Sequence, residues 1–277
     1  MTEHSSYPSA AWRLIMSAPA DGATNMAIDE AILHTVANGE EPSTLRFFSW
    51  APPCLSIGRS QSALDADLKR LTIEGWDLVR RPTGGRAILH IDELTYSIVA
   101  QTSDPRVGGG VIESYRRLSA GLLAGLRQLG LSPQNDAMLE SHTTNGPICF
   151  EETSNYEITI GNRKLLGSAQ LRKPGAVLQH GTLPLGGDIA RICDGLVYKD
   201  HTAIHGARSR IRKRASTLSS ALGREITWDA AARAMGSGIS SALNLSLEAG
   251  DLTTSEWHIA HKLRAEKYAH ETWTLRN

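Results

Sequence analysis

The sequence predicts an α/β protein of the α+β kind, in which a mixed β-sheet is flanked by helices. Short strand-like and helix-like patterns alternate over the first 185 residues, without an internal repeat or a Pro- or Ser-rich linker. The 277 residues are 41% apolar and 21% charged, a balance that allows a large buried core. A long amphipathic helical pattern at 111–129 is suited to packing across a sheet.

The first predicted element is a helix that Thr24 caps and that ends near Gly39, because apolar residues recur between them at helical spacing. Strand-forming residues then predict extended segments at 44–50, 54–58, 77–80 and 94–100. The helix at 111–129 carries apolar residues three or four positions apart on one face, namely Ile112, Tyr115, Leu118, Leu122, Leu126 and Leu129.

A β-hairpin is predicted at 156–171 with Gly161-Asn162 as its turn, because both residues tolerate the positive φ of a tight turn. A third strand follows at 176–185. From about residue 188 the pattern is helical, and it leaves open whether this segment forms a small subdomain or covers the sheet. Cys54 and Cys193 have strand-like and helix-like flanks and are expected in the core.

The composition restricts the expected partners and compartment. Lys plus Arg and Asp plus Glu number 29 each, so the net charge gives no reason to expect a nucleic-acid partner. The first eight residues are polar and no segment approaches the roughly 18 apolar residues of a membrane span, so we expect a cytoplasmic protein. Three widely spaced cysteines without a C-x-x-C pair predict neither a disulfide framework nor a metal site.

The run RRPTGGRAILH at 80–90 is the first candidate binding segment, with three arginines and two adjacent glycines. Adjacent glycines let backbone N–H groups approach a ligand closely, and guanidinium groups stabilise carboxylate, phosphate or carbonyl oxygens. On spacing alone an ordinary basic turn is the better supported interpretation, because glycine pairs are common in loops.

Lys164 is the second candidate, because it directly follows the predicted hairpin turn and its side chain could reach over the sheet into a cleft. His180 lies between strand-like runs on the neighbouring predicted strand. Spacing alone favours a solvated edge lysine and a buried, hydrogen-bonded structural histidine.

Cys149 is the third candidate, because Gly146-Pro147 before it predicts a loop and a loop thiol is accessible. A nearby ammonium such as that of Lys164 would favour the thiolate that a thioester-forming nucleophile requires. Taken alone, Cys149 is more commonly expected to be a small hydrophobic residue in the core.

Walker A, G-x-G-x-x-G, G-x-S-x-G and H-E-x-x-H motifs are absent from the sequence. The nucleotide-loop, serine-hydrolase and zinc-hydrolase classes therefore lose their usual support.

Four motifs together resemble the lipoate-protein ligase and octanoyltransferase superfamily, which is related to biotin ligases. They are NMAIDE at 25–30, the run 80–90 followed by ELTYS at 93–97, KLLGSA at 164–169 and QHG at 179–181. The match covers most of residues 12–185 in order. The resemblance implies a biotin/lipoate protein ligase-like catalytic domain, which we expect at 12–215, with a helical extension at 216–277 packed on it.

The branch of this superfamily is indicated by three features of the sequence. ATP-dependent lipoate ligases usually carry a third glycine where Arg86 stands and a Gly-Asn pair near Glu93-Leu94, and both are missing here. Cysteine-dependent octanoyltransferases of the Gram-positive type carry Gly-Gly-Arg and a loop Cys-Phe shortly before a Tyr-Glu strand. Cys149-Phe150 precedes Tyr156-Glu157 in this way, so the resemblance is closer to the cysteine-dependent branch.

The resemblance implies octanoyl transfer from acyl carrier protein, through a thioester on Cys149, to a lysine of a lipoyl-domain protein such as the glycine cleavage H protein. Lys164 would favour the thiolate, stabilise the oxyanion or accept the amine proton, and the sequence does not divide these roles. The implied substrate-binding residues are Arg81, Thr83, Gly84, Gly85, Arg86, His90, Gly167, Ser168, Ala169, His180 and Gly181. We expect a monomer that needs no cofactor, metal, nucleic acid or membrane.

Three alternatives stay open at this point. The first is an ATP-dependent lipoate-protein ligase, and the second is an amidotransferase that moves lipoyl or octanoyl groups between lipoyl domains. The third is a non-catalytic acyl-binding protein, against which the intact Cys149 and Lys164 argue. The basic run at 208–214 either steers an acidic acyl carrier protein or is the solvated face of a helix.

Overall fold

The computed structural model of the protein describes residues 7–135, 148–149 and 158–276. An eight-stranded mixed sheet has helices packed on both faces, and a separate three-stranded sheet lies beside it. The predicted α/β class with a mixed, helix-flanked sheet is confirmed.

The large sheet combines parallel and antiparallel pairs. In spatial order its strands are β11 (Leu245–Ala249), β1 (Ala10–Met16), β2 (Thr44–Phe48), β6 (Glu93–Gln101), β10 (Ala176–Pro184), β9 (Arg163–Lys173), β8 (Ile158–Ile160) and β7 (Gln134–Asn135). β1 is parallel to β2 and β11, and the pairs from β2 through β7 are antiparallel. The small sheet has the order β4 (Asp77–Arg80), β3 (Cys54–Ile57) and β5 (Ile88–His90).

The described residues contain eight α-helices. They are α1 (Gly22–Ala37), α2 (Leu68–Glu74), α3 (Val111–Gln128), α4 (His201–Arg214), α5 (Leu218–Leu222), α6 (Trp228–Leu243), α7 (Thr254–Leu263) and α8 (Glu271–Thr274). The pair α3 and α6 packs on one face, with α1 and α7 on the other. Because α1 also contacts β4, it is buried on nearly every side.

Several element predictions are confirmed and others are corrected. The turn Gly161-Asn162 has φ of 55° and 59° and joins β8 to β9 as predicted. The prediction that Thr24 caps α1 was wrong, because the Asp21 carboxylate caps the helix by accepting from the Thr24 backbone N–H. Cys54 and Cys193 are both 0% exposed, as expected. Phe150, Tyr156 and Glu157 lie outside the described residues.

The described residues 216–276 contain the helices α5 to α8 and the strand β11. The strand β11 pairs in parallel with β1, an arrangement that the predicted helical extension did not include. β11 has five residues and lies at the edge of the sheet, so it lacks the long alternating pattern that makes a strand detectable. None of the described helices combines the length and apolar character needed to cross a membrane.

Residues 273–276 close over the beginning of the 80–90 run. The Arg80 guanidinium is buried and donates to the backbone carbonyls of Trp273 and Thr274 at 3.0 and 3.2 Å, and also to Gly58 at 3.0 Å. In return, the Trp273 indole N–H donates to the Arg80 carbonyl at 2.9 Å. The strand that leads into the glycine loop is therefore held by a distant part of the chain.

Candidate active site

Cys149 and Lys164 lie side by side where the small sheet meets β9. The Lys164 Nζ donates to the Cys149 carbonyl oxygen at 3.0 Å and lies 3.5 Å from the Cys149 Sγ. Lys164 is only 3% exposed, whereas Cys149 is partly exposed. Cys149 is held by a hydrogen bond from its N–H to the Ala87 carbonyl at 3.0 Å. Lys164 is thus buried with its ammonium directed at a thiol. This excludes the interpretation of Lys164 as a solvated lysine at a strand edge.

The backbone of Lys164 is fixed from two sides. On one side, the pairing of β8 and β9 contains a register irregularity at Ile158/Thr159, and Thr159 then pairs with Lys164. On the other side, the Ser216 N–H donates to the Lys164 carbonyl at 2.9 Å, just after α4 ends. Because both neighbours restrain the strand, the Lys164 side chain has a defined direction into the site.

Two cavities meet at Cys149. The inner cavity has a volume of about 430 Å³ including its mouth, and Met26, Trp50 and Ile88 make much of its wall apolar. The outer cavity has about 710 Å³ and opens more widely to solvent. The residues shared by both walls are Gly84, Gly85, Cys149, Ser168 and Ala169.

Arg81 supports the glycine loop from beneath. Its buried guanidinium donates to the carbonyls of Gly84 and Arg86 at 3.1 and 3.0 Å, and to the Ser56 Oγ at 2.7 Å. Burial lowers the pKa of Arg81, and electrostatic interaction with Cys149 opposes that effect. The hydrogen bonds of Arg81 therefore shape the glycine loop.

The glycine loop also lies directly on the end of β3. A Cβ atom at Gly58 would stand 1.9 Å from the Gly85 carbonyl oxygen, which no neighbouring side chain could relieve. The Arg59 N–H donates to the Thr83 carbonyl at 2.8 Å. Gly85 itself has φ of +94°, a conformation that favours glycine. The paired glycines therefore serve close backbone packing as well as ligand access.

His180 links the glycine loop to a buried charge pair. Its Nε2 lies 2.7 Å from the Thr83 Oγ1, and its Nδ1 lies 3.1 Å from the Asp29 Oδ2. Asp29 also accepts from the Arg46 Nη1 and the Ser97 Oγ, each at 2.8 Å. All five side chains are buried. The prediction of a buried, hydrogen-bonded His180 is confirmed.

The protonation of this network follows from its surroundings. Burial opposes ionisation of Asp29, but the hydrogen bond with His180 and the charge of Arg46 hold its pKa below the usual value. Burial lowers the pKa of His180, and Asp29 only partly offsets that. The histidine is therefore neutral near pH 7, with Nδ1–H donating to Asp29 and Nε2 accepting from the Thr83 hydroxyl.

His90 forms a second buried chain on the other side of the inner cavity. Its Nδ1 lies 2.5 Å from the Glu93 Oε1 and its Nε2 lies 2.6 Å from the Ser56 Oγ. Its ring stacks on Trp50 with centroids 4.0 Å apart. The Trp50 indole donates to the Thr95 Oγ1 at 2.8 Å, which donates in turn to Glu93. These contacts hold the His90 and Trp50 side chains in place in one wall of the inner cavity.

Most of the predicted site residues lie together around the two cavities. The inner wall contains Arg81, Gly84, Gly85, His90, Cys149, Gly167, Ser168, Ala169, His180 and Gly181. Lys164 and Arg86 line the outer cavity, and Thr83 lies behind the inner wall on His180. The Ser168 hydroxyl is paired with the Tyr96 hydroxyl at 2.6 Å, so Ser168 presents its backbone to the cavities.

The sequence-based prediction omitted five residues of the inner wall. They are Met26, Trp50, Ile88, Thr95 and Thr182. Thr182 was detectable, because residues two apart on a strand face the same side and His180 was already a candidate. Trp50 and Met26 gave no such signal, since their contribution depends on how α1 and β2 pack. In the described residues, no group of three or more His, Cys, Asp or Glu side chains could hold a metal ion.

Comparison with known families gives a match over most of the chain. Residues 21–240 match the family described as the lipoyl protein ligase A/B catalytic domain. The protein therefore belongs to the lipoyl protein ligase A/B catalytic domain family.

Individual relatives cover nearly the full length. "Octanoyltransferase LipM" of Symbiobacterium thermophilum is 40% identical over 275 residues, with 96% of this chain and 98% of the relative covered. "Octanoyltransferase LipM" of Bacillus subtilis is 34% identical, with the same coverage. A solved chain from the bipartite lipoate protein ligase and E2 lipoyl domain system of Thermoplasma acidophilum has a TM-score of 0.81 at 23% identity, with 96% of each chain covered. That last likeness shows a shared fold.

Proposed function

We propose that this protein is an octanoyltransferase that forms a thioester on Cys149 and passes the acyl group to a lysine of a lipoyl-domain protein. The observation that carries the proposal is the 3.5 Å separation of the Lys164 Nζ and the Cys149 Sγ where an apolar cavity meets an open one. Relatives named octanoyltransferases at 34–40% identity over nearly the whole chain support it independently.

In the first half-reaction the Cys149 thiolate attacks the carbonyl carbon of an octanoyl thioester. The new S–C bond forms as the carbonyl electron pair moves onto oxygen, and its return breaks the C–S bond to the donor. The departing donor thiolate takes a proton from the Lys164 ammonium, which leaves octanoyl-Cys149 beside a neutral amine. The Lys164 Nζ lies 3.5 Å from the Cys149 Sγ, the atom on which the thioester would form.

In the second half-reaction the lysine amine of the acceptor attacks the octanoyl-Cys149 carbonyl. The C–N bond forms, the C–Sγ bond breaks, and the amine proton passes to the neutral Lys164. The Cys149 thiolate and the Lys164 ammonium are restored, so the reaction balances without ATP. The apolar inner cavity holds the acyl chain, while the outer cavity admits the donor thiol and then the acceptor lysine in turn.

We propose acyl carrier protein as the donor and a lipoyl-domain protein such as the glycine cleavage H protein as the acceptor. The exposed residues Arg210, Arg212, Lys213 and Arg214 of α4 form a surface that we call the α4 basic surface. Arg212 is partly neutralised by Asp188 at 2.6 Å. The surface ends where Ser216 bonds to the Lys164 backbone, so an acidic partner bound there would lie next to the site.

The test is intact-protein mass spectrometry after mixing the protein with octanoyl-acyl carrier protein in the absence of ATP. Wild type is compared with Cys149→Ala, and with Cys54→Ala as a matched control because Cys54 is fully buried. We expect wild type and Cys54→Ala to gain one octanoyl group that hydroxylamine removes, and Cys149→Ala to gain none. Addition of a lipoyl-domain protein should then transfer the group to its lysine.

Two results would contradict the proposal. An adduct that survives in Cys149→Ala would place the thioester on another residue. No adduct in wild type, together with ATP-dependent modification of a lipoyl domain by both wild type and Cys149→Ala, would indicate an adenylating ligase in which Cys149 has no chemical role.

A further inference from the structure

The Thr182 hydroxyl is buried without a hydrogen-bond partner among the described residues. Thr182 is 1% exposed and lines the inner cavity. Buried hydroxyl groups in folded proteins nearly always have a partner, so an unpaired one in a cavity wall points to a ligand that supplies it.

The strand register places this hydroxyl near the reacting sulfur. Thr182 of β10 lies directly opposite Gly167 of β9. A Cβ at Gly167 would be 3.1 Å from the Lys164 Cε and 4.0 Å from the Cys149 Sγ. Because opposite residues face the same side with Cβ atoms about 4.5–5.5 Å apart, the Thr182 side chain lies within one strand spacing of that position.

The polar groups beside Thr182 are already committed to other partners. His180, two residues earlier on the same face, accepts from Thr83 through Nε2 and donates to Asp29 through Nδ1. Thr95, opposite Thr182 on β6, accepts from Trp50 and donates to Glu93. The Thr182 hydroxyl therefore keeps a proton for a group that enters the cavity.

We propose that Thr182 is a further catalytic residue, whose hydroxyl donates a hydrogen bond to the acyl carbonyl oxygen of the thioester substrate. This inference rests on the proposed acyl transfer. The carbonyl oxygen becomes negatively charged when Cys149 attacks, and a donor that is already in place stabilises that charge. Thr182 supplies a neutral donor from the floor of the inner cavity, and Lys164 supplies a positive charge on the thiol side.

The test compares Thr182→Val, which has nearly the same shape without the hydroxyl, with Thr182→Ser, which keeps it. Single-turnover acylation by octanoyl-acyl carrier protein is followed by mass spectrometry. Loss of one oxyanion donor slows turnover by about 10²-fold or more in other acyl-transfer enzymes, and we expect a similar loss for Thr182→Val. Thr182→Ser should acylate at close to the wild-type rate. Thr182→Ala provides a second hydroxyl-free variant if the valine variant does not fold.

Two further measurements separate this role from a structural one. The carbonyl stretch of a ¹³C-labelled octanoyl-Cys149 adduct should shift to higher wavenumber in Thr182→Val, because a hydrogen bond to the oxygen is lost. The urea midpoint of the free protein should stay level or rise, because the substitution removes an unpaired buried hydroxyl. A structural hydroxyl would instead lower the midpoint and leave the carbonyl stretch unchanged.

The outcomes also separate this inference from the proposed function. If wild type and Thr182→Val form the adduct at the same rate, the assignment of Thr182 is overturned and the thioester route stands. If wild type forms no adduct, the proposed function fails and the role of Thr182 fails with it. A slow Thr182→Val with a restored Thr182→Ser supports both.

Discussion

The Lys164 Nζ lies 3.0 Å from the carbonyl oxygen of Cys149 and 3.5 Å from its sulfur, so one ammonium contacts both the backbone and the thiol of the same residue. The carbonyl contact fixes the position of the ammonium before a substrate arrives. The sulfur contact places the same ammonium beside the atom that the proposed thioester would use. In the proposed reaction Lys164 would therefore act both as a positive charge beside the sulfur and as a proton donor.

We expect Lys164→Met to slow octanoylation of Cys149 by about 10²–10⁴-fold, because it removes both the positive charge and the proton donor. The rate of Cys149 alkylation by iodoacetamide at neutral pH should fall as well, which separates thiolate formation from later steps. Lys164→Arg keeps the charge but cannot release its proton, so it should restore alkylation more than turnover. Wild-type acylation by Lys164→Met would show that the contact is not catalytic.

We expect Gly58→Ala to displace the glycine loop, because its Cβ would stand 1.9 Å from the Gly85 carbonyl oxygen. Overpacking of this kind typically destabilises a protein by about 1–3 kcal/mol. Acyl transfer should fall further than stability alone explains, since Gly85 lines both cavities. The control is Gly236→Ala in α6, where the nearest atom would be 3.6 Å away. Urea denaturation and acylation rates check both variants, and a fully active Gly58→Ala would contradict the packing argument.

We expect Arg46→Met to lower the free energy of unfolding by about 3–5 kcal/mol, because it leaves the buried Asp29 carboxylate without its cation. Both side chains are 0% exposed and lie 2.8 Å apart. Arg191→Met is the matched control, because its pair with Asp92 is partly exposed and should contribute below about 1 kcal/mol. Denaturant titration measures both. Equal losses of unfolding free energy in the two variants would show that the buried pair contributes no more to stability than the exposed pair.

The lowered pKa of His180 predicts a loss of stability in mild acid. Because burial holds its folded pKa below 6.5, the unfolded chain binds more protons as the pH falls below 6.5. The contribution of His180 is therefore complete above pH 6.5 and lost as the pH falls toward the folded pKa. Asp29, also with a lowered pKa, adds a loss only below about pH 3.8.

The measurement is the urea midpoint of wild type and His180→Gln from about pH 7.5 to about pH 5. Wild type should lose stability more steeply than His180→Gln over this interval, since glutamine does not titrate. Parallel slopes would show that His180 keeps an ordinary pKa in the folded protein.

We expect Arg210→Glu combined with Lys213→Glu to reduce kcat/KM for octanoyl-acyl carrier protein by about tenfold or more at low salt. The same variant should keep wild-type activity with octanoyl-pantetheine, which lacks the acidic protein. Lys69→Glu with Arg70→Glu on the exposed side of α2 makes the same change in net charge and should leave both activities unchanged. An equal loss for both donors would indicate damage to the site rather than to docking.

The sequence predicted correctly those turns and strands whose signals lie within a few adjacent residues. The turn at Gly161-Asn162 is such a case, because each residue type by itself tolerates the required backbone angles. The direction of Lys164 was not predictable in the same way. It depends on the register irregularity between β8 and β9 and on a backbone contact from Ser216, which no local pattern records.

The buried hydrogen-bond network around Asp29 was also not predictable from the sequence, because its members are far apart along the chain. Asp29 and His180 are 151 positions apart, and their contact depends on α1 lying across β10. Each residue by itself looks like an ordinary member of its element. Gly58 is similar, because only the folded loop shows that a side chain there would meet the Gly85 carbonyl. The family resemblance located the candidate residues, and the contacts among them depend on tertiary packing.

Arg80 depends on carbonyl groups that lie 193 to 196 positions later in the chain. At synthesis rates of about 5–20 residues per second, roughly 10–40 seconds separate the appearance of the arginine from that of its partners. During this interval the segment carrying Gly84 and Gly85 has left the ribosome without the residues that hold the strand before it. A nascent chain that has not yet reached residues 273–276 therefore lacks the contacts that hold the strand before Gly84 and Gly85 in place.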